Sequence, residues 1–329
     1  MEAFSIEHLL RNLQDRLKSS CAIASDFFQK LNPSKPVENR KLLEEHQAKQ
    51  PKNVHNSPDN SGPSRHQLQE LIRLYNQDDF TSFLPQAEQI AEKYSKNFEV
   101  HIMLGEVNRK LQNYEAAIVN YRTAIRIKPD YADAYINLGS TLKNSGQLDA
   151  AINTYKELLK IKPDDAEAYY NIGNTFKANN DSNAAIEYYQ KAINSQPHYS
   201  EAYNNLGTTL MDKGELDGAI INYKKALSLK PDDAEIHYNI GNVLQNKGAL
   251  DEAIEYYRIA IEIFPDYANA YNNIAVALKS RGELEAAIKC YNKVLKIKPD
   301  DAYAYYNMGI SLKNNGDFSA ALDCYKRAL

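Results

Sequence analysis

The sequence predicts an all-α protein, a solenoid of antiparallel helix pairs, and the first sign of it is a 34-residue period. Such regular self-similarity is typical of stacked supersecondary units rather than of a compact domain. A second sign is that 24 tyrosines stand beside no tryptophan, and the third is helical spacing of apolar residues within each period. The period is marked by Pro129, Pro163, Pro197, Pro231, Pro265 and Pro299.

We divide the chain from residue 98 onward into seven units and number the positions in each so that the recurring proline is position 32. Each unit is predicted to hold two helices, A and B. In the second unit helix A carries its apolar stripe at Tyr135, Leu138 and Leu142, and helix B carries one from Ala151 to Leu159. The units are 98–131, 132–165, 166–199, 200–233, 234–267, 268–301 and a truncated 302–329.

Turns and close contacts follow from the small residues. Glycine at position 15, as in Gly146, suits a left-handed helix end, and Pro163-Asp164 should stop helix B and cap the next helix A. Glycine at position 8 is expected to face alanine at position 20, which permits close helix approach. A large aromatic at position 24, as in Tyr155, is expected to fill the space between neighbouring units.

This pattern resembles the tetratricopeptide-repeat signature, with tyrosine in place of its usual tryptophan. The resemblance covers about two thirds of the chain and implies a right-handed superhelical solenoid whose A helices line a concave wall. Local departures are Asn180 at the turn of the third unit and Ala275 at position 8 of the sixth. In the second unit the signature reads Tyr135-x2-Leu138-Gly139-x2-Leu142, Ala151-x3-Tyr155 and Pro163.

The first 97 residues divide into three predicted segments. Residues 64–97 read as a degenerate capping hairpin, because a terminal unit of a solenoid needs a modified outer face. Residues 32–63, rich in proline and polar side chains, are expected to form a flexible linker. Residues 1–31 read as an amphipathic helical segment that could dock on the solenoid, dimerise or bind a partner, and the sequence leaves these three alternatives open.

The last unit stops at Leu329, position 28, before its proline. Helix B of this unit then has no following hairpin to cover its apolar stripe. We expect the natural protein to continue, and we expect the open end or the N-terminal helix to be the places where self-association could occur.

Composition narrows the class of function. With a net charge of −4, the protein has no excess of positive charge to bind a nucleic-acid backbone. The sequence also contains no run of 18 apolar residues, the length needed for a membrane span. Three cysteines, Cys21, Cys290 and Cys324, lack the spacing of a disulfide framework or zinc site. We expect a cytoplasmic protein that binds neither nucleic acid nor membrane.

Signatures of common enzyme classes are missing from the sequence. It contains no phosphate-binding glycine loop, nucleophile elbow or zincin motif, and its seven histidines do not cluster. The sequence therefore predicts a protein that is not an enzyme and needs neither a cofactor nor a metal.

One row of polar side chains stands out on the predicted A helices. Position 6 is asparagine in six units, with tyrosines at position 5 and further asparagines at position 9 beside it. An asparagine amide can pair with both the N–H and the C=O of an extended backbone, so the row could bind a peptide irrespective of its sequence. The predicted peptide-binding residues are Asn137, Asn171, Asn205, Asn239, Asn273, Asn307, Asn174, Asn242, Tyr170, Tyr238 and Tyr306.

Two structural interpretations stand beside this hypothesis. Asparagine at position 6 is common in the tetratricopeptide family, where it can bond to the adjacent repeat instead of a ligand. An acidic row at position 2 is more often a solvated face than a site for basic peptides. Its members are Asp133, Glu167, Glu201 and Glu235.

The function predicted from these observations is a scaffold that holds an extended polypeptide client in a concave groove lined by asparagines. An alternative comes from a second resemblance, because the array is similar to the N-terminal arm of O-linked N-acetylglucosamine transferases and to bacterial TPR-transferase proteins. That resemblance implies a substrate-recruiting arm of a glycosyltransferase or sulfotransferase. No residue of such a catalytic domain is visible in the sequence.

Overall fold

The computed structural model describes residues 62–329, and within that range every regular element is a helix. The predicted amphipathic segment 1–31 and nearly all of the predicted linker 32–63 lie outside the described residues. The chain divides into two compact parts, Met1–Val100 and His101–Leu329, and each is described by itself.

In the first part the described residues form a helical hairpin. Helix α1 spans Arg65–Asn76 and helix α2 spans Phe80–Lys93. A capping box starts α1, because the Ser64 hydroxyl accepts from the Gln67 N–H at 3.2 Å while the Gln67 side chain accepts from the Ser64 N–H at 2.9 Å. The hairpin agrees with the helices predicted for 64–97, whereas their capping role stays a prediction.

The second part is a regular series of antiparallel hairpins, and helix α3 (Phe98–Lys110) crosses the boundary into it. Each A helix from the second unit onward is 13 residues long and begins at position 1 of its unit. The remaining helices are α4 (Tyr114–Ile127), α5 (Ala132–Asn144), α6 (Leu148–Ile161), α7 (Ala166–Ala178), α8 (Ser182–Ser195), α9 (Ser200–Asp212), α10 (Leu216–Leu229), α11 (Ala234–Asn246), α12 (Leu250–Ile263), α13 (Ala268–Ser280), α14 (Leu284–Ile297), α15 (Ala302–Asn314) and α16 (Phe318–Ala328).

The turn between the helices of a hairpin needs a left-handed residue at position 15. Gly146 adopts φ +80°, and the glycines at the same position of the later units have similar angles. Asn180 replaces this glycine in the third unit and still adopts φ +60°, since asparagine tolerates the left-handed region better than most residues. The departure noted in the sequence therefore leaves the turn unchanged.

The helix caps differ from the sequence prediction by one residue. Asp164 lies in the turn, and the A helix that follows is capped by Asp165, whose carboxylate accepts from the Ala168 N–H at 2.9 Å. Asp301 caps α15 in the same way, at 2.8 Å from the Ala304 N–H. The prediction placed the cap too early because Pro-Asp in this turn is followed by a second aspartate.

The close contact inside each hairpin involves an aromatic ring in addition to the predicted alanine. A Cβ atom added to Gly139 would lie 2.4 Å from the Tyr155 ring, so position 8 lies directly against the aromatic ring at position 24 of its own unit. The backbone oxygen at position 20 is a more distant neighbour, 3.2 Å away in the fourth unit. The ring thus fills the hairpin itself, and the tyrosines at position 24 of the first six units are fully buried.

Candidate functional site

The A helices of neighbouring units contact one another directly and form one continuous surface, which we call the A-helix wall. The predicted site residues are all placed on these helices. The wall consists of α5, α7, α9, α11, α13 and α15, each in contact with the next.

A hydrogen-bonded cluster joins the third and fourth units on this wall. Asn205 Nδ2 donates to Asn174 Oδ1 at 2.8 Å and to the Tyr170 hydroxyl at 3.0 Å. The Tyr189 hydroxyl donates to the same Asn174 Oδ1 at 2.8 Å. Burial raises the pKa of Tyr189, so this hydroxyl remains a donor at neutral pH. Three predicted site residues therefore meet at one junction.

The same cluster recurs 68 residues later, between the fifth and sixth units. Asn273 Nδ2 donates to Asn242 Oδ1 at 2.8 Å, to the Tyr238 hydroxyl at 3.2 Å and to the Tyr257 hydroxyl at 3.3 Å. Tyr257 in turn donates to Asn242 Oδ1 at 2.9 Å. Alternate junctions of the wall are thus closed by the same set of side chains.

Two tyrosines that the sequence analysis did not single out cover these clusters. Tyr199 lies over Tyr170 and Tyr267 lies over Tyr238, each with ring centroids 5.0 Å apart. Both stand at position 34 of their units. A signal was present in the sequence, because position 34 alternates between tyrosine and aspartate with the same 68-residue period.

The remaining members of the asparagine row differ in what their side chains contact. Asn239 Nδ2 donates to Asn204 Oδ1 at 3.3 Å, whereas the partly buried side chain of Asn171 has no hydrogen-bond partner among residues 62–329. Asn307 is only 6% exposed and both ends of its amide are used, by Lys279 and by the Tyr303 carbonyl. Asn137 is buried as well.

The row is therefore not uniform. Four of its amides are partly buried and have an oxygen that accepts no hydrogen bond from the described residues, and these are Asn171, Asn205, Asn239 and Asn273. Of the predicted tyrosines, Tyr306 is 54% exposed, while Tyr170 and Tyr238 are partly buried and engaged in the clusters.

A polar side chain at position 9 pairs with the buried hydroxyl at position 24 in the first five units. The pairs are Tyr121 with Glu106 (3.1 Å), Tyr155 with Ser140 (3.2 Å), Tyr189 with Asn174 (2.8 Å), Tyr223 with Thr208 (3.0 Å) and Tyr257 with Asn242 (2.9 Å). In the sixth unit position 9 is Val276, and the buried Tyr291 hydroxyl has no partner.

We predict opposite outcomes for removing two of these hydroxyls. Tyr291→Phe deletes an unpaired buried group and should leave the free energy of unfolding unchanged or raise it slightly. Tyr257→Phe removes the hydrogen bonds to Asn242 and Gln245 and should lower the free energy of unfolding by about 1–2 kcal/mol. Urea denaturation of both variants checks this, and an equal loss in the two would contradict the pairing.

Two negative observations apply to residues 62–329. This range contains no group of three or more histidine, cysteine or acidic side chains that could hold a metal ion. None of its helices is both long enough and apolar enough to cross a membrane.

The hairpin series and the contiguous A-helix wall define a class of helical-repeat protein, and comparison with known families identifies it. Profiles of the TPR repeat match residues 105–146, 141–180, 207–248 and 277–316. Profiles of the tetratricopeptide repeat match residues 166–199, 234–267 and 188–221. These matches cover more than half of the chain, which belongs to the tetratricopeptide-repeat family of protein-interaction scaffolds.

One solved structure supports the fold, and two others are similar to the chain at lower TM-scores. PilF of Pseudomonas aeruginosa superposes with a TM-score of 0.53 at 22% identity, over 59% of this chain and 88% of PilF. MamA matches with a TM-score of 0.46 at 31% identity, over 48% of this chain and 92% of MamA. YrrB, a TPR protein with an unusual peptide-binding site, gives 0.47 at 27% identity, over 56% and 95%. No protein with a curated function matches the sequence significantly.

Proposed function

We propose that the A-helix wall holds an extended polypeptide client, and that the asparagine oxygens are the groups that bind it. The supporting observation is the fixed orientation of the amides. Because Nδ2 of Asn205 and Nδ2 of Asn273 each donate to side chains of the preceding unit, Oδ1 is the end left for a ligand. An acceptor of this kind pairs with the backbone N–H of a client.

This arrangement changes the hypothesis drawn from the sequence, in which each amide would pair with both N–H and C=O. In the proposal, the same asparagine side chain bonds to the preceding unit through Nδ2 and binds the client through Oδ1. The inter-repeat role and the ligand-binding role of the row are therefore both retained. Asn171 keeps both donors and its acceptor, and Asn239, which donates once to Asn204, keeps one donor beside its acceptor. Asn137 and Asn307 are buried, and we assign them no part in binding.

The free energies expected for these hydrogen bonds favour a weak and sequence-tolerant interaction. Four acceptor contacts at about 0.5–1.5 kcal/mol net each provide roughly 2–6 kcal/mol before association costs. Backbone contacts do not discriminate between side chains, so the client would be selected by its extended conformation. We propose that the array is non-catalytic. The transferase-arm alternative and the cytoplasmic location stay predictions, as does self-association.

The test uses a short peptide of glycine, serine and alanine carrying a fluorine label, and its analogue with methylated backbone nitrogens. Fluorine NMR titration of the full chain should show that methylation weakens binding about tenfold or more, because it removes the N–H donors. Equal binding of the two peptides would contradict the proposal.

Two variants separate binding from stability. Asn171→Ala removes an amide without a partner, so it should weaken peptide binding while the midpoint of urea unfolding stays unchanged. Asn307→Ala removes a buried amide that is bonded at both ends. It should lower the free energy of unfolding by about 1–3 kcal/mol, and with it the urea midpoint, and leave peptide affinity unchanged. The reverse assignment of effects would refute the role given to the oxygens.

A further inference from the structure

An open pocket of 510 Å³ lies in the fifth unit, between the beginning of α11 and the end of α12. It combines an apolar, aromatic side with a carboxylate side. Phe264 is 52% exposed there, so a large apolar side chain stands in contact with solvent. The pocket is lined mainly by Ile263, Phe264, Tyr267, Asp232, Asp233 and Glu235.

The unit before it shows how a lysine can occupy this place. In the fourth unit Lys230 at position 31 forms an ion pair with Glu201 at position 2. Burial of Glu201 opposes its ionisation, but the hydrogen bond and charge of Lys230 outweigh burial and lower the pKa of this carboxyl. Position 31 is also lysine in other units, as Lys128, Lys162 and Lys298.

The fifth unit has the glutamate without the lysine. Phe264 stands at position 31, and the Glu235 carboxylate has no hydrogen-bond or ion-pair partner among residues 62–329. The pocket therefore opens at the place where a lysine ammonium lies in the preceding unit. A carboxylate beside an aromatic surface is a favourable environment for a cation.

The negative potential extends to the aromatic side of the pocket. Burial, the neighbouring Tyr238 and the carboxylates of Glu235 and Asp233 raise the pKa of Tyr267 to about 12. The Tyr267 ring thus stays neutral at physiological pH and lies in the field of two acids. Asp233 also caps α11 by accepting from the Ile236 N–H at 3.2 Å, which offsets the positive end of that helix.

We propose that this pocket binds a lysine or arginine side chain of the extended client, whose cation takes the place beside Glu235 that Lys230 fills beside Glu201. The aliphatic stem of such a side chain would pack on Phe264 and Ile263. The inference rests on the proposed function, because it adds a side-chain preference to a backbone-binding wall.

The third unit supplies a natural comparison. It has the same acids, Asp164, Asp165 and Glu167, and the equivalent Tyr199, but Ser195 and Gln196 stand where the fifth unit has Ile263 and Phe264. With Tyr199 alone on its apolar side, it offers a smaller surface for an aliphatic stem. The basic side chain is thus assigned to the fifth unit alone.

The experiment compares two fluorine-labelled peptides of glycine, serine and alanine, one with a central arginine and one with a central glutamine. Both are titrated into the full chain and into three variants, Phe264→Lys, Glu235→Gln and Gln196→Lys. Phe264→Lys places an ammonium next to Glu235, as Lys230 lies next to Glu201 in the fourth unit. Glu235→Gln removes the negative charge of a side chain that has no hydrogen-bond partner among residues 62–329. Circular dichroism confirms that each variant is folded.

With the unaltered chain, the arginine peptide should bind about tenfold more tightly than the glutamine peptide. Phe264→Lys and Glu235→Gln should each reduce this ratio to about one, while Gln196→Lys should leave it unchanged. Equal affinity of both peptides for the unaltered chain, or a ratio that persists in the first two variants, would refute the pocket. Failure of both peptides to bind would refute the proposed function and this inference with it.

Discussion

Replacing Tyr223 with alanine is expected to lower the free energy of unfolding by about 3–5 kcal/mol. The side chain is fully buried in the fourth unit, with neighbours on both sides. The substitution removes its apolar contacts, leaves a cavity against Gly207 and deprives the Thr208 hydroxyl of a partner at 3.0 Å. Urea denaturation followed by circular dichroism measures the loss.

The matched control is Tyr303→Ala, because that tyrosine is 58% exposed and its loss should change the unfolding midpoint little. Repeat arrays can unfold in more than one step, so the comparison is best made on the midpoint of the first transition. Similar shifts in the two variants would show that burial at position 24 does not hold the array together.

Gly241→Ala is expected to destabilise the protein by about 1–3 kcal/mol, although alanine is the better helix former. A Cβ atom at this residue would lie 2.5 Å from the Tyr257 ring, which is fully buried and has little room to move. The position is helical, so the expected loss comes from overpacking rather than from backbone strain.

A second glycine inside a helix gives the opposite expectation. A Cβ atom on Gly218 would meet only Leu210 at 3.4 Å, an ordinary contact, so Gly218→Ala should stabilise the protein by about 0.5–1 kcal/mol through helix propensity. Thermal denaturation of both variants checks the pair. If both substitutions stabilise, the close approach between position 8 and the aromatic ring does not constrain the fold.

Features that repeat along the chain could be predicted from the sequence. The 34-residue period, the two helices of each unit and the left-handed turn all follow from local propensities and apolar spacing, and they are confirmed in 101–329. Even the exception at Asn180 keeps the turn, because its backbone requirement is local. These features need only the identity of a residue and its neighbours within a few turns of helix.

The direction of the asparagine amides could not be predicted in this way. Which end of Asn205 is bonded depends on Tyr170 and Asn174, which lie a full unit earlier in the chain. The same holds for the glycine at position 8, which lies against an aromatic ring 16 residues later as well as near the alanine expected from small-residue spacing. Periodicity alone places such residues on a surface but does not choose their partners.

The recurrence of the asparagine and tyrosine clusters every 68 residues has a mechanical consequence. The amides of Asn205 and Asn273 form two and three side-chain bonds across their junctions, whereas the amide of Asn239 forms one long bond of 3.3 Å across the intervening junction. One ion pair also crosses each of these three junctions, so the asparagine bonds account for the difference between them. The elastic element of this array is therefore the two-unit block rather than the single hairpin. Under load or on warming, flexing should concentrate between blocks, so that the array yields in steps of two units.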